Sequence, residues 1–256
     1  MNHSNDEFFY NVLEIYDYNR PGPLSNWFEF LKSTVSSIEG DVLEAGVHRG
    51  RSLLAAALIL KEQQENKMIY GLDTFSGFPG VMSEKDQLSN FEYMYMLGEI
   101  TQEHMSKVNL NMKILKFMNE DDKLNANNVS KSGDFSNTSI SSIEKKADFL
   151  ELNNIKLVAG SFYDTLTSSS SIETGKLAGA LLDCDLYESY ISVLDYIWPR
   201  LSLGGMIYLD EYYSLKFPGA RIACNEILKP LGDKISWHST SRKRDFERWY
   251  VIKEKE

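Results

Sequence analysis

Five short, mainly apolar runs punctuate the chain at residues 42–45, 67–72, 154–159, 178–182 and 206–209, and each stops at a glycine or an acid. Runs this short read as strands covered on both faces, the pattern of a parallel sheet between helices. Helical spacing fills the gaps. Phe28, Leu31, Val35 and Ile38 recur at threes and fours after Ser25, which is placed to cap them. Residues 52–60, the stretch from Asp185 to Pro199, and 221–229 read as further helices, as does a patch with Phe9, Leu13 and Tyr16. The runs 235–237 and 249–252 read as an antiparallel pair joined by a charged turn. The pattern predicts one α/β domain over residues 1–256, with a mostly parallel central sheet and helices on both faces.

Between residues 80 and 150 the pattern changes. Leu88, Phe91 and Tyr95 suggest one helix, and Met105, Val108 and Met112 another. Residues 119–142 are rich in Asn, Ser, Asp and Lys, so little apolar surface is available to offset their ordering entropy. That segment is expected to be mobile, and the whole region to be a lid-like insertion at the strand ends.

Composition narrows the function. The 256 residues are 43% hydrophobic and 25% charged, ordinary for a soluble globular protein. A net charge of −10 argues against nucleic-acid or anionic-membrane partners. Arg242, Lys243 and Arg244 form a short basic run of the kind that is usually solvated surface. Cys184 and Cys224 lack metal-type spacing and point to a reducing compartment. Neither a signal peptide nor a run of the roughly 20 apolar residues of a membrane helix is evident, so a cytoplasmic protein is expected.

The chemistry lies where the runs end. In open α/β sheets ligands bind beyond the carboxyl ends of the strands. If the runs 178–182 and 206–209 are neighbours, they deliver Asp183, Asp185, Asp210 and Glu211 to one place. Four carboxylates together must be protonated, solvated or bound to a cation. The turn EAGVHRGRS after the first run is not G-x-G-x-x-G, yet Gly46 and Gly50 allow close backbone approach at a helix start. Asp73, ending the second run, is placed to accept both hydroxyls of a ribose. With no Walker A pattern, these features indicate an adenosine-type ligand without a pyrophosphate cradle. His48 could approach that ligand, while His104 and His238 could reach a substrate or be structural. Arg221 could meet substrate or support an acid, and Tyr187 and Tyr212 read as packing.

Six blocks in order, GDVLEAGVHRGRS (40–52), YGLDTFSGFP (70–79), GSFYDTL (160–166), LLDCDLYES (181–189), PRLSLGGMIYLDEY (199–212) and PGARIACNEI (218–227), resemble the macrocin O-methyltransferase family. The resemblance implies a Rossmann-like class I methyltransferase fold and S-adenosylmethionine-dependent methylation of a sugar hydroxyl. It implies that Gly46 and Gly50 bracket the methionine end of the cofactor, with Ser52 near its carboxylate and Glu44 holding the turn. It further implies that Asp73 binds the ribose and that Ser161 and Phe162 flank the adenine. Asp183, beside the cofactor, would join Asp210 and Glu211 in holding a divalent cation, Mg2+ by the hardness of the donors. Asp185 is then free to act as general base. The family usually ends its last acidic block with two aspartates, whereas this chain has Asp210-Glu211. A homo-oligomer, a dimer or higher, is also implied. The rival expectations are a metal-dependent methyltransferase of catechol-type substrates and a non-catalytic cofactor-binding protein.

Overall fold

The computed structural model describes residues 7–80, 82–119, 123–166, 172–240 and 247–256. Arg242, Lys243 and Arg244 lie outside the described residues. Seven strands form one sheet: β1 (Asp41–Ala45), β2 (Ile69–Asp73), β3 (Ile155–Ala159), β4 (Leu177–Leu182), β5 (Leu201–Leu209), β6 (Ile235–Thr240) and β7 (Arg248–Lys253). Their order is β3-β2-β1-β4-β5-β7-β6, with β7 antiparallel to both of its neighbours and every other pair parallel.

The helices are α1 (Glu7–Leu13), α2 (Ser25–Ser33), α3 (Arg51–Glu62), α4 (Asn90–Met96), α5 (Gln102–Asn119), α6 (Ile140–Phe149), α7 (Phe162–Leu166), α8 (Tyr187–Ile197) and α9 (Pro218–Ile227). One core packs α2, α3 and α6 on one face of the sheet, and a second packs α7, α8 and α9 on the other. Sandwiched between them, every residue of β4 is buried, which is why its run shows no alternation. The helix begun at Ser25 is shorter than its apolar spacing predicts. It ends at Ser33, and Val35–Ser37 form a separate 3-10 turn. Ser25 lies within the first turn after Leu24, its hydroxyl accepting from the Gly22 N–H at 2.7 Å.

From β1 the chain winds outward through β2 to β3, then returns to pair β4 against the other side of β1. That reversal opens a crevice at the carboxyl ends of β1 and β4, where ligands bind in such sheets. Ala45 pairs with Leu182, so Gly46 and Asp183 meet in the crevice. Leu182 in turn pairs with Leu209, which sets Asp183 beside Asp210.

The region between β2 and β3 holds α4, α5 and α6. A parallel pair needs a crossover, and α6 supplies it: Ile143 and Ala147 are buried in the same core as α3. The polar stretch before α6 is less bare than its composition suggests. Ala126 and Val129 are buried with Leu186 and Phe217, and Phe135 packs on Phe78 with ring centroids 5.2 Å apart. No helix among the described residues is long and apolar enough to cross a membrane.

Candidate active site

The glycine turn is shaped by contact as much as by flexibility. Gly46 has φ 92°, and a Cβ there would lie 1.8 Å from the Asp183 carbonyl oxygen. Only a residue without a side chain lets β1 turn this close to β4. Gly50, also left-handed, is the N-cap of α3 and has no side chain to satisfy the helix amides. Glu44 takes that task, accepting the Ser52 hydroxyl at 2.7 Å and facing the Leu53 N–H. Complete burial pushes the Glu44 carboxyl up to about 8.

Asp73 ends β2 and accepts two backbone N–H groups, from His48 at 2.8 Å and Phe75 at 2.7 Å. The carboxylate is thereby locked in orientation while each oxygen keeps a lone pair. The His48 ring is turned to the insertion, with Nε2 2.6 Å from Asn137 Oδ1 and the ring edge-on to Phe135. Thr138 donates to the His48 carbonyl, and Arg49 to the Asn137 carbonyl at 3.1 Å. Residues 135–138 are thus strapped across the glycine turn.

A cavity of ≈ 310 Å³ runs along the crevice, lined by Gly46, Asp73, Ser161, Phe162, Asp183 and Asp185 among others. Five of the cofactor-binding candidates therefore share one space, Asp183 among them. Glu44, Gly50 and Ser52 do not line it; they stand behind the turn and fix its shape.

The acids converge at the far end. One oxygen each of Asp183, Asp185 and Glu211 lies within 4.8 Å of the others. Asp210, placed in that set by the resemblance with Asp185 outside it, stands instead beside Asp183 at the end of the neighbouring strand. Two local geometries explain this. The short turn that Asp210 and Glu211 open is kinked at Glu211, whose φ of −96° and ψ of 15° are not helical. Asp185 has φ 58°, and around it the Leu186 N–H donates to the Cys184 carbonyl at 2.6 Å. This is a γ-turn of the rare, strained kind, and it swings the Asp185 side chain back toward Asp183.

Burial, then the charges of Asp210, Asp185 and Glu211, hold the Asp183 carboxyl well above the usual carboxylate range. Burial and Glu211 do the same to Asp185. Asp210 and Glu211 are also raised by burial, opposed by the cations of Lys216 and Arg248. The site concentrates more negative charge than its own cations offset.

A family model described as macrocin-O-methyltransferase (TylF) matches residues 28–126 and 113–229. This chain belongs to the macrocin-O-methyltransferase family. It is 23% identical over 176 residues to the 8-demethyl-8-(2,3-dimethoxy-alpha-L-rhamnosyl)-tetracenomycin-C 4'-O-methyltransferase of Streptomyces olivaceus, covering 68% of this chain and 54% of that protein. The mycinamicin III 3''-O-methyltransferase of Micromonospora griseorubida is 24% identical over 192 residues, 74% of this chain and 60% of its own length. The chain thus spans little more than half of these curated relatives. Among solved structures, the O-methyltransferase NovP superposes with a TM-score of 0.60 at 19% identity, over 89% of this chain and 79% of NovP. The calicheamicin methyltransferase CalS11 gives 0.59 at 22% identity, over 90% and 77%. Both share the Rossmann-like fold of class I O-methyltransferases.

Within this macrocin-O-methyltransferase framework, several residues have places their sequence positions do not disclose. Tyr16, before the first strand, packs under the Arg51 guanidinium at 4.6 Å. Burial raises its phenol first, and the charges of Asp183 and Asp210 add to it. Lys216 is the basic residue of the loop after Glu211; a lone lysine following an acidic pair is the one sequence signal that pointed to it. His104 is not directed at the cavity: it is buried, stacked on Tyr213 at 4.0 Å, with Nε2 2.7 Å from the Ser214 carbonyl. Arg221 holds the same loop, donating to the Tyr212 carbonyl at 3.3 Å and to the Glu99 backbone carbonyl of the insertion at 2.6 Å. His238 stacks on Tyr250 in the β6–β7 pair, outside the cavity lining. Tyr187 and Tyr212 end their side chains on Glu226 and Asn225 of α9, as packing residues would.

Proposed function

We propose that this chain is an S-adenosylmethionine-dependent O-methyltransferase acting on a hydroxyl of a sugar or glycosylated small molecule, with a divalent cation of the Mg2+ type at the strand ends. The observation that carries the reading is the single cavity joining Gly46 and Asp73 to Asp183 and Asp185. Asp73, the acid proposed for the ribose, and Asp183 and Asp185, two of the clustered acids, line one space. Family membership supports the reaction class, and one relative's name specifies a rhamnosyl-bearing molecule.

The glycine turn would meet the methionine end, Asp73 the ribose, and Ser161 with Phe162 the adenine. S-adenosylmethionine supplies the methyl group as an electrophilic sulfonium. Carboxylate oxygens are the donors that hard cations take, and the surplus negative charge fits such an ion. Asp183, Asp210 and Glu211 would hold it. When bound, the cation polarises an acceptor hydroxyl. Asp185 takes the hydroxyl proton as the acceptor oxygen gains the methyl and the sulfur–methyl bond breaks. Asp185 stands close to Asp183 and Glu211, where a base acting beside the residues that would hold the cation belongs.

The deciding experiment offers the labelled methyl donor and Mg2+ to the protein with a panel of deoxysugar glycosides and catechols. Labelled sugar ethers are the expected products. Preferential catechol methylation would overturn the acceptor class, and donor binding without transfer to any acceptor would overturn the enzyme. Asp73→Ala should weaken donor binding by about 1.5–3 kcal/mol, the range for charge-assisted hydrogen bonds. Titration calorimetry measures it, and an unchanged dissociation constant in a folded variant removes Asp73 from the ribose site.

A further inference from the structure

Helices α3, α8 and α9 each follow a strand end that carries site residues, and all must satisfy the free N–H groups of their first turns. The N-cap of α3 is a glycine, that of α8 is Leu186 and that of α9 is Phe217, none with a side chain able to accept. Glu44 answers for α3. For α8 the acceptor comes from 101 positions away: Asp86 Oδ1 accepts the Tyr187 N–H at 2.8 Å. Asp86 sits in a 3-10 turn, Glu84–Asp86, at the start of the insertion, and is only 6% exposed. Its other oxygen, Oδ2, has no hydrogen-bond partner among the described residues.

The same carboxylate touches α9. A Cβ added at Gly219 would lie 2.0 Å from Asp86 Oδ1 and 2.8 Å from Tyr187 Cβ. Gly219 is therefore small because α9 begins against this clasp, not because the backbone turns there. Around it, Glu226 of α9 receives the Tyr187 hydroxyl at 2.5 Å and lies 3.7 Å from the Lys85 ammonium. Asp86 thus ties the insertion to the first turns of the two helices that follow the acid-bearing loops. Tyr187 is two residues from Asp185, whose strained γ-turn has little local support.

We propose that Asp86 is a positioning residue for Asp185, holding the start of α8 from the insertion so that the γ-turn keeps its carboxylate aimed at the other acids. This rests on the reading of Asp185 as the proton acceptor. A residue acting this way changes the rate of the chemical step and leaves substrate binding nearly alone, because it touches neither donor nor acceptor.

The test uses the full chain and two readouts: amide hydrogen exchange across residues 186–189, and steady-state kcat and KM for donor and acceptor. Asp86→Ala should speed exchange at Tyr187 and lower kcat about tenfold to hundredfold, the cost of a small misplacement at a reacting centre. KM values should stay close to wild type. Asp86→Asn keeps an oxygen acceptor and should restore both exchange protection and kcat. Gly219→Ala, which displaces the carboxylate without altering it, should reproduce the Asp86→Ala effects. Wild-type exchange in Asp86→Ala overturns the clasp, as does a kcat loss that asparagine does not rescue. Should the wild-type protein transfer no methyl group, exchange alone still decides the clasp, and the failure then belongs to the functional reading.

Discussion

Replacing Asp185 with asparagine should lower methyl transfer by about 10²–10⁴-fold, the loss typical of a missing general base. The substitution is clean in physical terms. Asparagine has the shape of aspartate, so holding φ 58° costs the variant no more than it costs the wild type. The γ-turn bond from the Leu186 N–H to the Cys184 carbonyl uses no side chain and survives. What changes is the ability to receive a proton. Donor affinity by calorimetry and cation affinity by titration should both stay near wild type, with the loss confined to kcat. If cation binding disappears together with turnover, Asp185 is a ligand, and the division of labour between the two aspartates is the reverse of the one proposed.

The frame of this site is legible in the sequence because it depends on short-range order. Strand β4 and the last four residues of β5 are continuous apolar runs, and each stops at an acid. Pairing of Leu182 with Leu209 then brings Asp183 to Asp210 with no further information. Gly46 and Asp73 are visible for the same reason, as residues just past strand ends. What escapes the sequence is contact between distant segments. Nothing in the local pattern around Asp86 or Tyr16 says that one caps α8 and the other packs under Arg51 at the start of α3. The polar stretch before α6 hides its few anchors, Val129 and Phe135, because composition averages them away. Which acids converge is also hidden: a γ-turn at Asp185 and a 3-10 turn at Asp210 rotate side chains in ways that spacing does not encode.

The second large effect concerns the cation. Exhaustive chelation should lower methyl transfer by at least about 10³-fold, since Lewis-acid polarisation is worth several kcal/mol, and Mg2+ should restore it. In the cation-free protein, burial lifts all four carboxyls, and those of Asp183 and Asp185 are lifted further by their neighbours. Lys216 and Arg248 offset part of that charge at Asp210 and Glu211. The remainder is relieved by protons or by a bound cation. Asp210→Ala removes an oxygen from the set and also leaves Asp183 without its neighbouring carboxylate, so ordinary Mg2+ concentrations should not rescue it. Glu211→Asp keeps the charge on a side chain one methylene shorter. It should retain activity while changing the order of preference among Mg2+, Mn2+ and Ca2+, because reach and coordination number select between hard cations. Binding of Mn2+ followed by electron paramagnetic resonance reads the site without turnover. It should show one tight ion in wild type, a weakened one in Asp210→Ala, and an ion retained in Glu211→Asp. Full activity after chelation, with elemental analysis confirming that no metal remains, would sink the cation and leave Asp185 and alignment of the two substrates to account for the rate.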